Sequence, residues 1–175
     1  MALFKKKISL YEFYVAAISA ALKVIDWNAD DLAANDVKFE NELKIIALAY
    51  ISIIGEELNP INKVDVELSG FPQEFNRTSF EQALEYSMKG IAQGVFPGGK
   101  SNIVKHTQAY LDELEKTGSS MEEKYAAFTR VLIQKLPPEK KDLEHIGIYR
   151  PKVVSLIAKI NIQLRHSILA KYKIV

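Results

Sequence analysis

The longest apolar run in the chain covers residues 45–54, IIALAYISII, which contain no charge. A run this apolar also suits a buried strand, so its length and flanks must decide between the two. The apolar spacing extends back to Val37, Asp36 is a residue type that caps helix starts, and Pro60 ends a helix. The pattern therefore predicts a helix over residues 36–58 that is apolar all around and packs against neighbours on every side.

A second helical pattern covers residues 9–25. Ser9 and Glu12 have the spacing of a capping box, in which each side chain accepts a hydrogen bond from the other residue's backbone N–H. The three lysines before this apolar stretch also resemble a secretory signal, which stays a minor alternative. Glu12 argues against the signal, and the apolar run is shorter than the about 20 residues of a transmembrane helix. We predict a core helix preceded by the lysines, and then a polar connector over residues 28–35.

One long irregular loop is predicted at residues 59–77, because Pro60, Gly70 and Pro72 interrupt helical spacing there, and the alternation of apolar residues over 64–68 leaves room for a short extended piece. Loops of this length are uncommon unless they act as lids or binding loops. Alternatively, Phe71 and Phe75 plug one end of the core, an interpretation that we prefer because buried aromatic area is a common stabiliser.

Further helices follow this loop. Thr78 opens the first with a capping box, Ser101 caps the second, and Ser120 opens the third. Pro151 suits the first turn of a last helix that runs to about Tyr172, because a proline lacks an N–H that would be unpaired there. The sequence thus predicts an all-α fold, a single-domain bundle of five to six helices around the buried helix at residues 36–58.

Composition excludes some chemistry. The 175 residues contain no cysteine, which rules out disulfides, thiolate nucleophiles and cysteine-bound zinc and is compatible with the cytoplasm. The three histidines are scattered and lack Glu-x-x-His spacing, so no metal is predicted. No nucleophile motif is recognisable, so we predict no catalytic site and no cofactor and lean towards a protein that is not an enzyme.

The sharpest motif match is GVFPGGKS at residues 94–101, which fits the phosphate-binding pattern G-x-x-x-x-G-K-S. That pattern needs a strand before it, whereas helical spacing precedes it here, so a P-loop fold is rejected. A weaker hypothesis is a phosphate or anion site at a helix start, where free N–H groups and the helix dipole favour negative charge. Its residues would be Gly98, Gly99, Lys100 and Ser101. An ordinary turn between helices is the competing interpretation.

Charge is distributed unevenly. Residues 26–57 carry eight acids against two lysines, a net charge of −6, whereas residues 145–175 contain no acid and carry +6. Four basic residues in the second segment recur every seven positions and would share one face of a straight helix. They are Lys152, Lys159, His166 and Lys173. We expect this stripe to bind an anionic partner, most readily a protein surface of another molecule or a second copy, although solvated helix faces often carry lysines.

A nucleic-acid-binding protein is the third reading. Residues 139–145 and the last helix would form a helix-turn-helix with Gly147 in the turn. The last helix is too apolar for a groove, and the isoelectric point of about 7.8 is well below that of a typical nucleic-acid binder. The sequence therefore favours a non-enzymatic interaction or regulatory module, with an anion-binding protein as the alternative, and leaves the oligomeric state open.

Overall fold

The structure is a computed structural model of the chain and describes residues 5–29, 31, 36–58, 71–90, 99–117, 120–136 and 143–175. The regular elements in these ranges are a strand β1 (Lys6–Ile8), six helices, a π-helical segment (Arg165–Leu169) and a strand β2 (Tyr172–Ile174). The helices are α1 (Leu10–Trp27), α2 (Val37–Leu58), α3 (Phe71–Gly90), α4 (Gly99–Glu115), α5 (Met121–Lys135) and α6 (Leu143–Leu164). The predicted all-α class is confirmed. None of the described helices combines the length and the apolar character needed to cross a membrane.

Helix α2 is the predicted central helix, and it contacts α1, α3, α4 and α6. Asp36 caps it as expected, because its Oδ1 accepts hydrogen bonds from the backbone N–H groups of Lys38 and Phe39, both at 3.1 Å. Every residue from 45 to 51 is buried. Seven consecutive positions span almost two helical turns, so neighbours cover α2 in all directions.

Two predicted capping boxes are confirmed. At the start of α1, Ser9 Oγ accepts a hydrogen bond from the Glu12 N–H at 3.2 Å, and the Glu12 carboxylate accepts one from the Ser9 N–H at 2.7 Å. Ser120 and Glu123 form the same reciprocal pair at the start of α5, at 3.2 and 3.1 Å. Each box satisfies two N–H groups that would otherwise lack partners at a helix start.

The predicted loop over residues 59–77 is wrong in its second half, because α3 already begins at Phe71. Pro72 is compatible with this start, since N–H groups in the first turn have no intrahelical partner to lose. Thr78 therefore lies inside α3 and does not cap it. Residues 59–70 and the side chains of Phe71 and Phe75 lie outside the described part, so the lid and the core plug stay predictions.

The last helix also starts earlier than predicted. Helix α6 is continuous over Leu143–Leu164, so Pro151 lies inside it and Gly147 does not form a turn. A proline within a helix removes the hydrogen bond to the carbonyl four residues earlier. That carbonyl belongs to the exposed Gly147, where water can replace the lost partner. The helix-turn-helix geometry is therefore wrong, although nucleic-acid binding itself is not tested.

The predicted apolar face of α6 is confirmed, and it packs against α1, α2 and α5. Its residues Val153, Ile157, Ile160 and Leu164 are buried, and so is Ile168 in the π-helical segment that follows. The predicted end near Tyr172 is wrong, because the α-helix ends at Leu164 and a π-helical segment leads into β2.

Candidate functional site

The two ends of the described chain meet in a two-stranded parallel sheet. Strand β1 pairs with β2 in the register Lys6 with Tyr172, Lys7 with Lys173, and Ile8 with Ile174. The Lys6 N–H donates to the Lys171 carbonyl at 3.1 Å, and the Val175 N–H donates to the Ile8 carbonyl at 3.0 Å. This pairing joins segments that are more than 160 residues apart in sequence.

The sheet has an apolar face and a basic face. Ile8 and Ile174 are paired and buried, 9% and 8% exposed, and belong to the hydrophobic core. Successive side chains of a strand point to opposite faces, so the neighbouring pair, Lys7 and Lys173, points to solvent. Both lysines are exposed. Like charges directly opposite each other on paired strands are destabilising.

Further exposed basic residues lie in the two strands, next to them and in the π-helical segment that leads into β2. We call the set of exposed basic residues that the strand pairing collects the chain-end basic surface. It consists of Lys5, Lys6, Lys7, Arg165, His166, Lys171 and Lys173. Lys5 Nζ also donates to the Leu169 carbonyl at 2.6 Å, which ties the start of the described chain to the end of the π-helical segment.

Among the residues that the structure describes, no acidic side chain neutralises the centre of the chain-end basic surface. The nearby Glu12 is engaged in its capping box, where the hydrogen bonds from the Ser9 N–H and hydroxyl hold its pKa below the ordinary value, with a smaller contribution from Lys6. Within the described residues, no acidic side chain forms an ion pair with Lys7 or Lys173. Binding of an anion at this pair would therefore not displace an internal salt bridge.

The acid-rich segment 26–57 has other partners. Its residue Glu40 pairs with Lys44 at 2.5 Å, and Glu57 pairs with Lys124 at 2.6 Å. Glu42 accepts a hydrogen bond from Lys135 at 3.2 Å. These three acids therefore pair with lysines outside the basic segment 145–175.

The structure separates the four residues of the predicted basic stripe. Lys152 Nζ lies 5.6 Å from the ring centroid of Phe39, and Lys159 Nζ donates to Asn28 Oδ1 at 2.5 Å, so both lysines pack against the helices. His166 lies in the π-helical segment and Lys173 in β2, and both join the chain-end basic surface. The single helical stripe is wrong because the α-helix ends before the last two positions, while a partner-binding role for these residues stays a prediction.

The predicted anion site lies at the start of α4. Gly98 is outside the described residues, whereas Gly99, Lys100 and Ser101 form the first turn of the helix. Ser101 is therefore not the cap that the sequence predicted, because α4 begins two residues before it. The side chains of Lys100 and Ser101 are outside the described part of the structure, so anion binding here stays a prediction.

A second polar cluster joins α2, α4 and α5. The Tyr110 hydroxyl donates to Glu42 Oε2 at 2.8 Å, and Lys135 Nζ donates to the same oxygen at 3.2 Å. Lys135 Nζ also lies 3.4 Å from His106 Nδ1 and 4.5 Å from the centre of the Tyr110 ring. Burial, and then the charge of Glu42, raise the pKa of Tyr110 well above its usual range, so the hydroxyl keeps its proton and donates it.

This cluster is best explained as a structural ion-pair network. The Lys135 ammonium has three N–H donors, and the carboxylate, the imidazole and the aromatic face supply three partners for them. In the described part of the chain, no group of three or more histidine or acidic side chains could hold a metal ion. The cluster therefore links α2, α4 and α5.

Sequence reasoning missed five residues of the chain-end basic surface, namely Lys5, Lys6, Lys7, Arg165 and Lys171. A signal for most of them was present, because KKKI at residues 5–8 and KYKI at residues 171–174 share a basic and apolar pattern. No protein-family model, curated protein or solved structure matches this chain. Inferences about function therefore depend on the surface itself.

Proposed function

We propose that this protein is a non-enzymatic interaction module that binds an acidic protein through the chain-end basic surface. The observation that supports the proposal most directly is the pairing of Lys7 with Lys173 on the solvent face of the sheet. Two ammonium groups held side by side repel each other, and a carboxylate bound between them adds two attractions that offset this repulsion. A cytoplasmic location is part of the proposal and is compatible with the absence of cysteine.

A protein is favoured over a nucleic acid because the described residues of this surface include few exposed aromatic rings. Proteins that bind single strands place aromatic side chains among the basic groups, so that bases can stack on them. Here Tyr172 shares the Ile8 face of the sheet and is only partly exposed. Trp27, which is 70% exposed, ends α1, about 27 Å along the helix from its start next to β1.

A different protein is favoured over a second copy of this chain. In a second copy the acidic stretch is segment 26–57, but Glu40, Glu42 and Glu57 already have lysine partners in their own chain. Association between copies through these three acids would have to break their pairs. We therefore expect the protein to sediment as a monomer at micromolar concentration, whereas a dimer that salt dissociates would favour the second copy.

The binding test uses a fluorescently labelled hexaglutamate peptide, with affinity measured by anisotropy at 20 and 200 mM salt. A juxtaposed lysine contributes on the order of 1 kcal/mol, about fivefold in affinity. The double variant Lys7→Gln/Lys173→Gln should therefore bind about 25-fold more weakly and with a shallower salt dependence. The matched control, Lys23→Gln/Lys105→Gln, removes the same charge from exposed positions on α1 and α4 and should change affinity less than threefold.

Competitors of other classes test the choice of partner. Single-stranded oligouridylate and vesicles that contain phosphatidylserine are titrated at the same salt concentrations. Tighter binding of the RNA, with the same dependence on Lys7 and Lys173, would favour the nucleic-acid reading. Equal loss of affinity in the two double variants would mean that only net charge matters, and would contradict a site at the chain ends.

A further inference from the structure

We infer that the ligand of the chain-end basic surface is an acidic segment with at least two carboxylates that bridges β1 and β2, so that ligand binding and pairing of the chain ends strengthen each other. This inference rests on the proposed function and adds the chemistry and the conformational linkage of the site.

The site is divided between the two chain ends. Lys7 belongs to one strand and Lys173 to the other, and neighbouring strands lie about 4.8 Å apart. Lys171 lies in the turn directly before β2, two residues before Lys173, and it is also exposed. One carboxylate of the ligand fits between Lys7 and Lys173. A second carboxylate on the same ligand peptide is needed to reach Lys171. A ligand with a single carboxylate therefore engages only part of the site.

Few interactions hold the two ends together. The strands are three residues long, and their apolar contribution to the core is the buried pair Ile8 and Ile174 with the partly buried Tyr172. The hydrogen bond from Lys5 Nζ to the Leu169 carbonyl adds an exposed tie. The repulsion between Lys7 and Lys173 opposes the pairing. Segments with so little buried area open at a low free-energy cost compared with the core.

Linkage then follows from thermodynamics. A ligand that needs both strands binds only the paired state, so its apparent affinity falls in proportion to the fraction of molecules in which the ends are paired. The ligand in turn stabilises the paired state, because it binds that state and not the open one. Ile8 and Ile174 are thus positioning residues, which act on the ligand through the lysines that they place.

The experiment combines hydrogen exchange with a variant that removes no charge. The backbone N–H groups of Lys6 and Val175 donate across the sheet, so their exchange reports on pairing. Saturating hexaglutamate should slow their exchange at least tenfold and leave buried α2 amides unchanged. Acetate at the same carboxylate concentration should slow it less than twofold.

Ile174→Ala should weaken hexaglutamate binding at least threefold while the helical circular dichroism stays unchanged, and Ile174→Val should bind within twofold of the original protein. If the original protein binds hexaglutamate through Lys7 and Lys173, but Ile174→Ala binds equally well and strand exchange does not respond, the linkage is refuted and the proposed function stands. If the original protein does not bind hexaglutamate, both fail. If Ile174→Ala loses helical structure, the exchange measurement on the original protein decides alone.

Discussion

The ring of Tyr14 in α1 lies directly against the backbone of Gly55 in α2. A β-carbon at position 55 would be 2.3 Å from the Tyr14 hydroxyl oxygen, far closer than any normal contact. Tyr14 is completely buried, and its hydroxyl donates to the Ser52 carbonyl at 3.4 Å. The missing side chain therefore lets a large ring fit between the two helices, at a position where glycine is otherwise unfavourable in a helix.

The first prediction is that Gly55→Ala destabilises the protein by about 1–3 kcal/mol, because the added methyl group overpacks a buried contact. Unfolding in urea, followed by circular dichroism, measures this change. Gly147→Ala is the matched control, since a β-carbon there has no neighbour within 4 Å. It should stabilise the protein by up to about 1 kcal/mol through helix propensity. A stabilising effect of both substitutions would show that Tyr14 does not occupy this space.

The second prediction concerns the core of α2. Ile46 is completely buried, so Ile46→Ala should cost about 2–5 kcal/mol through lost burial and the cavity that remains. Ile53 is only partly buried, and Ile53→Ala should cost clearly less. Equilibrium unfolding of both variants under the same conditions provides the comparison. A loss below about 0.5 kcal/mol at Ile46, which is typical of surface positions, would contradict the central position of α2.

Local signals explain what could be predicted of the fold. Asp36, Ser9 and Ser120 cap helices through hydrogen bonds to residues two or three positions away, so the sequence alone contains both partners. Prolines are less informative about helix boundaries, because a proline occurs both in the first turn of a helix and inside a helix. Pro72 lies in the first turn of α3 and Pro151 lies inside α6, and which of these occurs depends on packing that the local sequence does not specify.

The candidate site was harder to predict because long-range pairing forms it. Strands of three residues are too short for a reliable alternating pattern, so the sequence assigns Lys7 to the lysine run before α1 and Lys173 to the helical stripe, and nothing in it links the two. The heptad spacing of Lys152 and Lys159 suggested a stripe instead. That spacing describes only the α-helical part of the segment, and tertiary contacts with Phe39 and Asn28 occupy both lysines.

The third prediction concerns the polar cluster around Glu42. Tyr110→Phe removes the hydroxyl that donates to Glu42 Oε2 and leaves the ring and its contact with Lys135 in place. We expect a loss of about 1.5–3 kcal/mol, the usual range for a hydrogen bond to a charged group. Tyr86→Phe, at a residue that is 62% exposed, is the control and should change stability by less than about 0.5 kcal/mol. Equal effects would mean that the bond to Glu42 contributes nothing specific.

The fourth prediction is a pH dependence at the start of α5. Hydrogen bonds from the Ser120 hydroxyl and backbone hold the pKa of Glu123 below its ordinary value of 4.5. A carboxylate whose pKa is lowered by folding stabilises the protein above the unfolded-state pKa and loses this contribution as the pH falls through the folded-state pKa. Glu123→Gln should therefore narrow the difference in melting temperature between pH 7 and pH 3.5. An unchanged difference in the variant would contradict the capping box as its source.

The last prediction tests the pair Lys7 and Lys173 through stability rather than binding. Lys7→Glu replaces a like-charge pair with an opposite-charge pair across the strands, and should raise the free energy of unfolding by about 0.2–1 kcal/mol at low salt. Lys173→Glu should do the same. The double variant places two carboxylates opposite each other, so it should fall back to the stability of the original protein. High salt should reduce all these differences in the free energy of unfolding, because both positions are exposed and dissolved ions screen their charges. Additive gains in the double variant would mean that each lysine interacts with groups other than its partner, and the two chain ends would then not be held side by side as described.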